Sequence, residues 1–166
     1  MAEEIATEES LVGELGEFRR GFLSVVMATT GVDGAPTASY APYVTGTDGD
    51  CYILVSGLAR HTRDLLESGR ASLLFVENEA EAQSIFGRRR LTVQCLASEV
   101  PRDASEWDEQ LDRLRERQGK LVEMLRRLPD FRLFRLAPEA GAWVGGFARA
   151  QPLGAAAARA VMRDDS

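Results

Sequence analysis

The sequence predicts a mainly β fold with flanking helices, in which six or seven antiparallel strands form a small closed or nearly closed barrel. Apolar, β-branched segments are short and are separated by turns rich in glycine and aspartate, a pattern typical of strands. The first three of these segments are joined by loops too short for a parallel crossover, which indicates an antiparallel meander. Few helical segments interrupt the meander, and closure of the sheet removes its exposed edges.

The first half of the chain is expected to supply one helix ahead of the barrel and then four strands. An amphipathic helix is predicted over residues 7–20, with Thr7 or Ser10 as its N-cap. Strands are predicted at residues 22–29, 36–44, 51–55 and 71–76, and a second helix at residues 58–68.

The second half is expected to contain the longest helix, three more strands and a tail. Pro129 ends the long helix, because proline cannot continue helical hydrogen bonding. The predicted elements are a helical turn at residues 77–86, a strand at 90–100 and the long helix at 103–128. Closing strands are predicted at residues 131–136 and 142–147, around a turn at 138–141. An alanine-rich segment at residues 154–162 permits a helix with a thin apolar face.

Length and charge limit the class of protein. All 166 residues fit one domain, in which residues 1–20 precede a barrel at residues 22–147 and residues 148–166 form a tail. The formal net charge of −6 argues against a nucleic-acid binder. No apolar segment is long enough to span a membrane, and the acidic N-terminus does not resemble a signal peptide. A cytoplasmic protein without membrane contact is expected.

Metal-binding residues are scarce. The chain has one histidine, His61, and two separated cysteines, Cys51 and Cys95, both in apolar segments. These two thiols are expected to be reduced and buried, without a disulfide, and no metal site is predicted.

A first candidate site follows the third predicted strand. A glycine turn leads there into a helix start, where Ser56, Arg60, His61 and Thr62 contribute hydroxyl, guanidinium and imidazole groups. Backbone N–H groups at a helix start favour an anion, so a phosphate or carboxylate site is predicted. The alternative is a solvated helix start whose arginines face water.

A second candidate is the run of arginines that enters the fifth predicted strand and contains Arg88 and Arg90. Neighbouring side chains alternate between the two faces of a strand. One or two of these arginines are expected to face a groove or a partner, unless the whole run is solvated.

Two further candidates lie elsewhere in the chain. Ser39 and Tyr40 are expected either to form part of a flat floor under a planar ligand or to pack in the core. Pro42 cannot donate to a sheet and indicates an edge or a bulge. Asp130 is expected either to orient a ligand or to cap the turn that follows the long helix.

Five segments, taken in order, resemble one known family. They are residues 26–42, which end in Ser-Tyr-Ala-Pro, residues 56–62, residues 86–92 with the three arginines, residues 130–136, and residues 145–150. Their order and spacing resemble the haem-utilisation (HugZ/HutZ-like) branch of the pyridoxamine-phosphate-oxidase-like, FMN-binding split-barrel superfamily.

The resemblance implies a split barrel that forms a homodimer, with two equivalent sites between the subunits. In flavin-binding relatives the region that matches Arg60, His61 and Thr62 holds the FMN phosphate, and a strand that matches residues 88–91 lines the same groove. The first expectation is an FMN-dependent oxidoreductase in which the flavin supplies the redox chemistry and no residue is assigned as catalytic.

The alternative ligand implied by the resemblance is haem. Residues matching His61, Arg90 and Asp130 are associated with haem in that branch, and the two propionates suit a basic cluster. Haem-degrading members place an axial histidine in the C-terminal tail, whereas none follows Gly146 here. The remaining candidates are poor substitutes, because His61 is needed at the helix start and Met162 lies near an end that is expected to be mobile. Haem handling without degradation is the alternative to FMN, and a barrel without any ligand is the third possibility.

Overall fold

A computed structural model of the chain describes residues 7–164 as seven strands and five α-helices. The strands are β1 (Ser24–Thr30), β2 (Pro36–Thr45), β3 (Cys51–Ser56), β4 (Arg70–Val76), β5 (Arg90–Val100), β6 (Phe131–Val144) and β7 (Ala150–Leu153). The helices are α1 (Glu8–Arg20), α2 (Arg60–Ser68), α3 (Ser105–Gln118), α4 (Leu121–Leu125) and α5 (Ala155–Met162). A single 3₁₀ turn at Ile85–Gly87 is the helical part of the predicted turn between β4 and β5.

Six of the strands close into a barrel. They lie in the order β3, β2, β1, β4, β5 and β6, and β6 also pairs with β3. All pairings among the described strands are antiparallel, and β7 extends the sheet beside the end of β6. The predicted mainly β barrel with flanking helices is confirmed.

The prediction of two closing strands around a turn at residues 138–141 is wrong. β6 runs unbroken through that segment, and its register against β5 shifts between Gln94 and Cys95. The shift leaves Glu139 without a partner on β5, which makes it a β-bulge. Because a bulge interrupts the hydrogen-bond ladder locally, Pro138 fits there although it has no N–H to donate.

The prediction of one helix over residues 103–128 is also wrong. Gly119 has a φ of 95° and ends α3 two residues before α4 begins. Glycine adopts this backbone conformation at little cost, and it cannot be part of a right-handed helix. Both helices nevertheless pack on the outer face of β3 and β6, where Leu111 and Val122 are buried in one apolar cluster.

The end of the chain is part of the core. α5 forms as the sequence predicts, but Val161 and Met162 are completely buried in the barrel cluster. Arg19 of α1 holds this end in place, because its Nε donates to the carbonyl oxygen of Val161 at 3.0 Å. The expectations of a thin apolar face and a mobile end are therefore wrong.

Helices close the two ends of the barrel. α1 and α5 bury Leu15 and Val161 at one end, and α2 buries Leu65 near the turn of the β1–β2 hairpin at the other end. None of the helices described for residues 7–164 combines the length and apolar character needed to cross a membrane.

Candidate functional site

The loop between β3 and α2 forms a corner that is closed by hydrogen bonds from within the chain. Ser56 Oγ donates to Asp130 Oδ2 at 3.1 Å and accepts from the backbone N–H of Leu58 at 3.2 Å. The N–H of Gly57 donates to the Asp130 carbonyl at 2.6 Å, and Thr62 Oγ1 donates to the Ser56 carbonyl at 2.6 Å. The structure thus brings together Ser56, Thr62 and Asp130, but it uses their polar groups to fix the loop.

The guanidinium of Arg60, at the start of α2, is held by two carboxylates. Its Nε donates to Asp64 Oδ1 at 2.9 Å, and its Nη2 donates to both oxygens of Asp33 at 2.9 and 3.1 Å. Hydrogen bonds to Asp33 and Asp64 raise the pKa of Arg60. Burial favours the neutral form of Asp64, but hydrogen bonds from Arg60, Thr37 and Thr29 lower its pKa nevertheless. Arg60 therefore stays protonated, and the carboxylates of Asp33 and Asp64 balance its positive charge.

A third carboxylate lies beside this pair. Glu67 Oε2 accepts from the N–H of Val32 at 3.0 Å, and a Cβ on Gly31 would come within 2.6 Å of the same oxygen. The turn of the β1–β2 hairpin is thereby packed tightly against α2. Three carboxylates around one guanidinium leave the surroundings of Arg60 negative, which opposes the binding of a phosphate.

His61 is the predicted site residue that this network leaves aside. Its side chain is half-buried, and burial lowers the pKa of the imidazole, against the opposing charge of Asp64. Among residues 7–164 its ring has no hydrogen bond or ion pair. The ring is neutral at neutral pH and keeps a nitrogen lone pair.

Tyr40 lies on an outer face of the barrel that none of the helices described between residues 7 and 164 covers. The cross-strand register aligns the outward side chains of Tyr40, Val26, Leu74 and Thr92 on β2, β1, β4 and β5. Tyr40 is 68% exposed and Val26 is 42% exposed. We call this surface, with Arg90 and Val76 in the next outward row, the open face.

Arg90 is the one arginine of the run that lies on the open face. It is paired with Val76 on β4, and its Nη1 donates to the carbonyl of Arg88 at 3.0 Å. No carboxylate is paired with it in the described part of the chain. Three strand spacings of ~4.8 Å separate β5 from β2, so the width of the face between Arg90 and Tyr40 is ~14 Å.

The remaining predicted residues are not part of that surface. Arg88 turns back onto the loop, where its Nε donates to the carbonyl of Glu77 at 2.8 Å. Ser39 is paired with the buried Met27, so it points inward, and its Oγ is buried without a hydrogen-bond partner.

Two carboxylates that organise the site were missed in the sequence. Asp64 stands four residues after Arg60, a spacing that places them side by side on a helix, and this signal was available. Asp33 lies on a different element, and nothing in the sequence reveals that its turn reaches α2.

A further cleft borders the loop that leads into β5. It has a volume of about 540 Å³, lies between α1 and the start of β5, and is lined in part by Phe18, Trp143, Glu14, Glu17 and Glu81. Four glutamates and one arginine, Arg89, line it, and this net negative charge opposes the binding of an anionic ligand.

Comparison with protein families gives one match that spans most of the chain. A family model described as Pyridoxamine 5'-phosphate oxidase matches residues 11–144. The chain is also 40% identical over 137 residues to the haem oxygenase HutZ of Vibrio cholerae serotype O1. The aligned residues cover 82% of this chain and 77% of that protein.

Two solved structures share the fold. The crystal structure of HutZ from Vibrio cholerae, described as a haem storage protein, has a TM-score of 0.72 and 39% identity, covering 76% of this chain and 89% of that one. ChuZ of Campylobacter jejuni has a TM-score of 0.79 and 29% identity, covering 88% of this chain and 60% of that one.

Proposed function

The chain belongs to the haem-utilisation branch of the pyridoxamine 5'-phosphate oxidase family, and from that membership we propose that it binds haem on the open face, between two copies of the chain. The observation that carries the proposal is that an apolar row and an arginine share one surface, and that no carboxylate among residues 7–164 pairs with this arginine. The relative HutZ is described both as an oxygenase and as a storage protein, and binding of haem is common to both activities.

The residues of the open face fit haem. Val26, Leu74 and the ring of Tyr40 offer apolar surface to a flat macrocycle. Arg90 offers a guanidinium whose remaining donors suit a propionate, and charge-assisted hydrogen bonds of this kind are strong. Bound haem would supply an iron centre for redox chemistry, while the chain binds the macrocycle, orients it through Arg90 and excludes water from it.

FMN fits this chain less well, although the resemblance makes it the first expectation. A flavin phosphate at the start of α2 would have to displace Asp33 from Arg60 and would approach Asp64 and Glu67. The N–H groups of Gly57 and Leu58 are already used by Asp130 and Ser56. FMN binding stays a prediction, and the same titration tests it.

A second copy of the chain is the proposed cover of the open face. Among the described strands, residues 36–42 of β2 pair with β1 alone, because the pairing of β2 with β3 begins at Tyr43. This leaves a free strand edge beside exposed Tyr40 and Val26, and contiguous exposed apolar surface of this kind marks an interaction site. A homodimer would bury both features and enclose the ligand.

Titration of the purified protein with haemin and with FMN tests the proposal. Haemin is expected to produce a Soret band with saturating 1:1 stoichiometry per chain, and FMN is expected to bind more weakly than haemin, as measured by the change in flavin absorption and fluorescence. Because Arg90 supplies a charge-assisted bond of about 1.5–3 kcal/mol, Arg90→Ala should weaken haem binding about tenfold or more. Arg115→Ala is the matched control, since it removes an equal charge from α3. Absence of haemin binding by the wild type, or equal binding by Arg90→Ala, would contradict the proposal.

A further inference from the structure

A groove runs along the barrel from α1 to the end of β6. The cleft of about 540 Å³ beside α1 continues into a second cleft of about 490 Å³, because Glu77, Glu81 and Arg89 line both. The second cleft reaches Gly145 and Gly146, directly after β6. We call the two clefts together the acidic groove. Every residue that lines it lies outside the open face.

The acidic groove has an excess of negative charge. Its arginine is already balanced, because Arg89 Nε donates to Glu77 Oε1 at 2.8 Å. Glu14 and Glu17 on α1 and Glu81 on the opposite wall have no hydrogen bond or ion pair with any residue between 7 and 164. Three carboxylates that face one groove in this way favour a cationic ligand.

Aromatic rings line the groove between these carboxylates. The Phe18 ring lies 4.9 Å from the Trp143 ring and 5.1 Å from the Phe22 ring, measured between centroids. The guanidinium of Arg89 lies over Phe18, with its central carbon 5.5 Å from the ring centroid. This surface therefore already holds one planar cation, and stacking on aromatic rings favours a guanidinium over an ammonium group.

The indole of Trp143 adds an unused hydrogen-bond donor. Trp143 is 5% exposed, and its Nε1–H has no acceptor in the described part of the chain. Gly145 keeps this donor open to the groove, because a Cβ on Gly145 would come within 2.9 Å of Nε1. A buried N–H without an acceptor costs free energy. A ligand that carries a carbonyl oxygen as well as a cation would supply the acceptor.

We propose that the acidic groove binds an arginine-containing peptide segment of a partner protein. The carboxylates and rings bind the guanidinium, and Trp143 donates to a main-chain carbonyl of the same segment. Each cleft by itself lies within the ~300–1,000 Å³ typical of ligand sites, so the groove has room for several residues. Phe147, 79% exposed in the second cleft, offers apolar surface to the neighbouring side chains.

Isothermal titration of the haem-free protein with a blocked Ala-Ala-Arg-Ala-Ala peptide tests the proposal. The peptide is expected to saturate one site per chain. The same peptide with neutral citrulline in place of arginine should bind about tenfold or more weakly, since it loses a charge-assisted hydrogen bond. Blocked arginine without flanking residues should also bind more weakly, because it lacks most of the main chain.

Variants of the groove locate the binding site. Glu14→Gln combined with Glu17→Gln should weaken peptide binding about fivefold, whereas Glu116→Gln on α3 is the matched control and should change nothing. Trp143→Phe keeps an aromatic ring and removes the N–H, and Gly145→Ala places a methyl group against it. Both are expected to weaken binding about two- to tenfold.

Three results would overturn the proposal. They are the absence of peptide binding by the wild type, equal binding of the citrulline peptide, and unchanged affinity after the double glutamate substitution. Blocked arginine that binds as tightly as the peptide would assign the groove to a small cation instead of a protein segment. The glutamates are on the surface, so their substitution leaves the fold intact and decides the matter even if Trp143→Phe does not fold.

Discussion

Arg60 donates from Nη2 to both carboxylate oxygens of Asp33, at 2.9 and 3.1 Å, and so ties α2 to the turn between β1 and β2. The Nε of the same Arg60 side chain donates to the carboxylate of buried Asp64. This arrangement turns a helix start that resembles a phosphate site into a contact between two elements of the fold. The neighbouring imidazole of His61 makes no hydrogen bond or ion pair within residues 7–164.

Asp33→Asn is expected to increase the affinity of this corner for anions. The substitution removes one of the negative charges around Arg60 and weakens the bond to Nη2, so inorganic phosphate and FMN should both bind several-fold more tightly than to the wild type. Folding stability should change little, because the pair with Asp33 is exposed to solvent. Isothermal titration with phosphate and fluorescence titration with FMN measure the effect.

Glu79→Gln is the matched control for Asp33→Asn, since it removes a carboxylate that pairs with Arg88 at 3.4 Å on a different loop. An equal gain in both variants would show a general charge effect and would count against a specific role of Asp33.

Acid should destabilise the fold in part through Asp64. Burial opposes its ionisation, but hydrogen bonds from Arg60, Thr37 and Thr29 place its folded-state pKa below the ordinary value of 3.8. A carboxyl group with a lowered folded-state pKa stabilises the fold above its unfolded pKa, and this stabilisation is lost as the pH falls through the lower folded value. Urea unfolding at neutral pH and at steps below about pH 4 measures the free energy of unfolding.

Asp64→Asn is expected to be less stable than the wild type at neutral pH and to lose less stability in acid. If the two proteins show the same acid dependence, Asp64 does not contribute to it.

Arg19→Ala should destabilise the end of the barrel that α1 and α5 close. The buried guanidinium donates to the carbonyls of Val161 and Arg163, both at 3.0 Å, and its loss leaves buried acceptors unsatisfied and a cavity. We expect a loss of about 2–4 kcal/mol in the free energy of unfolding. Chemical denaturation gives the total, and hydrogen exchange should show early opening of α5.

Arg115→Ala removes an exposed arginine of α3 and is expected to change stability by less than about 0.5 kcal/mol. A similar small change in Arg19→Ala would show that the buried hydrogen bonds contribute little.

Val26→Asp is expected to disrupt the proposed homodimer. Val26 is in the middle of the open face, where a carboxylate buried against a second copy would have no partner. Val32→Asp is the matched control, because Val32 is 86% exposed in the hairpin turn. Size-exclusion chromatography with light scattering should give a dimer for the wild type and the control and a monomer for Val26→Asp. A wild-type monomer, or a dimer of Val26→Asp, would rule out this face as the interface.

Most strands and the ends of the short helices were predictable because their signals are local. The cap of α1 at Thr7 and the end of α2 at Gly69, which has a φ of 65°, follow from the residues at those positions. The two wrong elements depend on packing. Pro138 is compatible with a turn or with a bulge, and only its register against β5 selects the bulge.

The sequence by itself determined the barrel, the family resemblance and the chemical identity of the candidate residues. Alternation, turn composition and residue type are properties of short segments, so they can be recognised without contacts. The tertiary structure alone decided which of those residues remain available to a ligand. Asp33 binds Arg60, whereas Arg90 on the open face and the imidazole of His61 have no ion pair with any residue in the described part of the chain. These contacts involve residues on different elements of the fold, and the elements come together only when the chain folds.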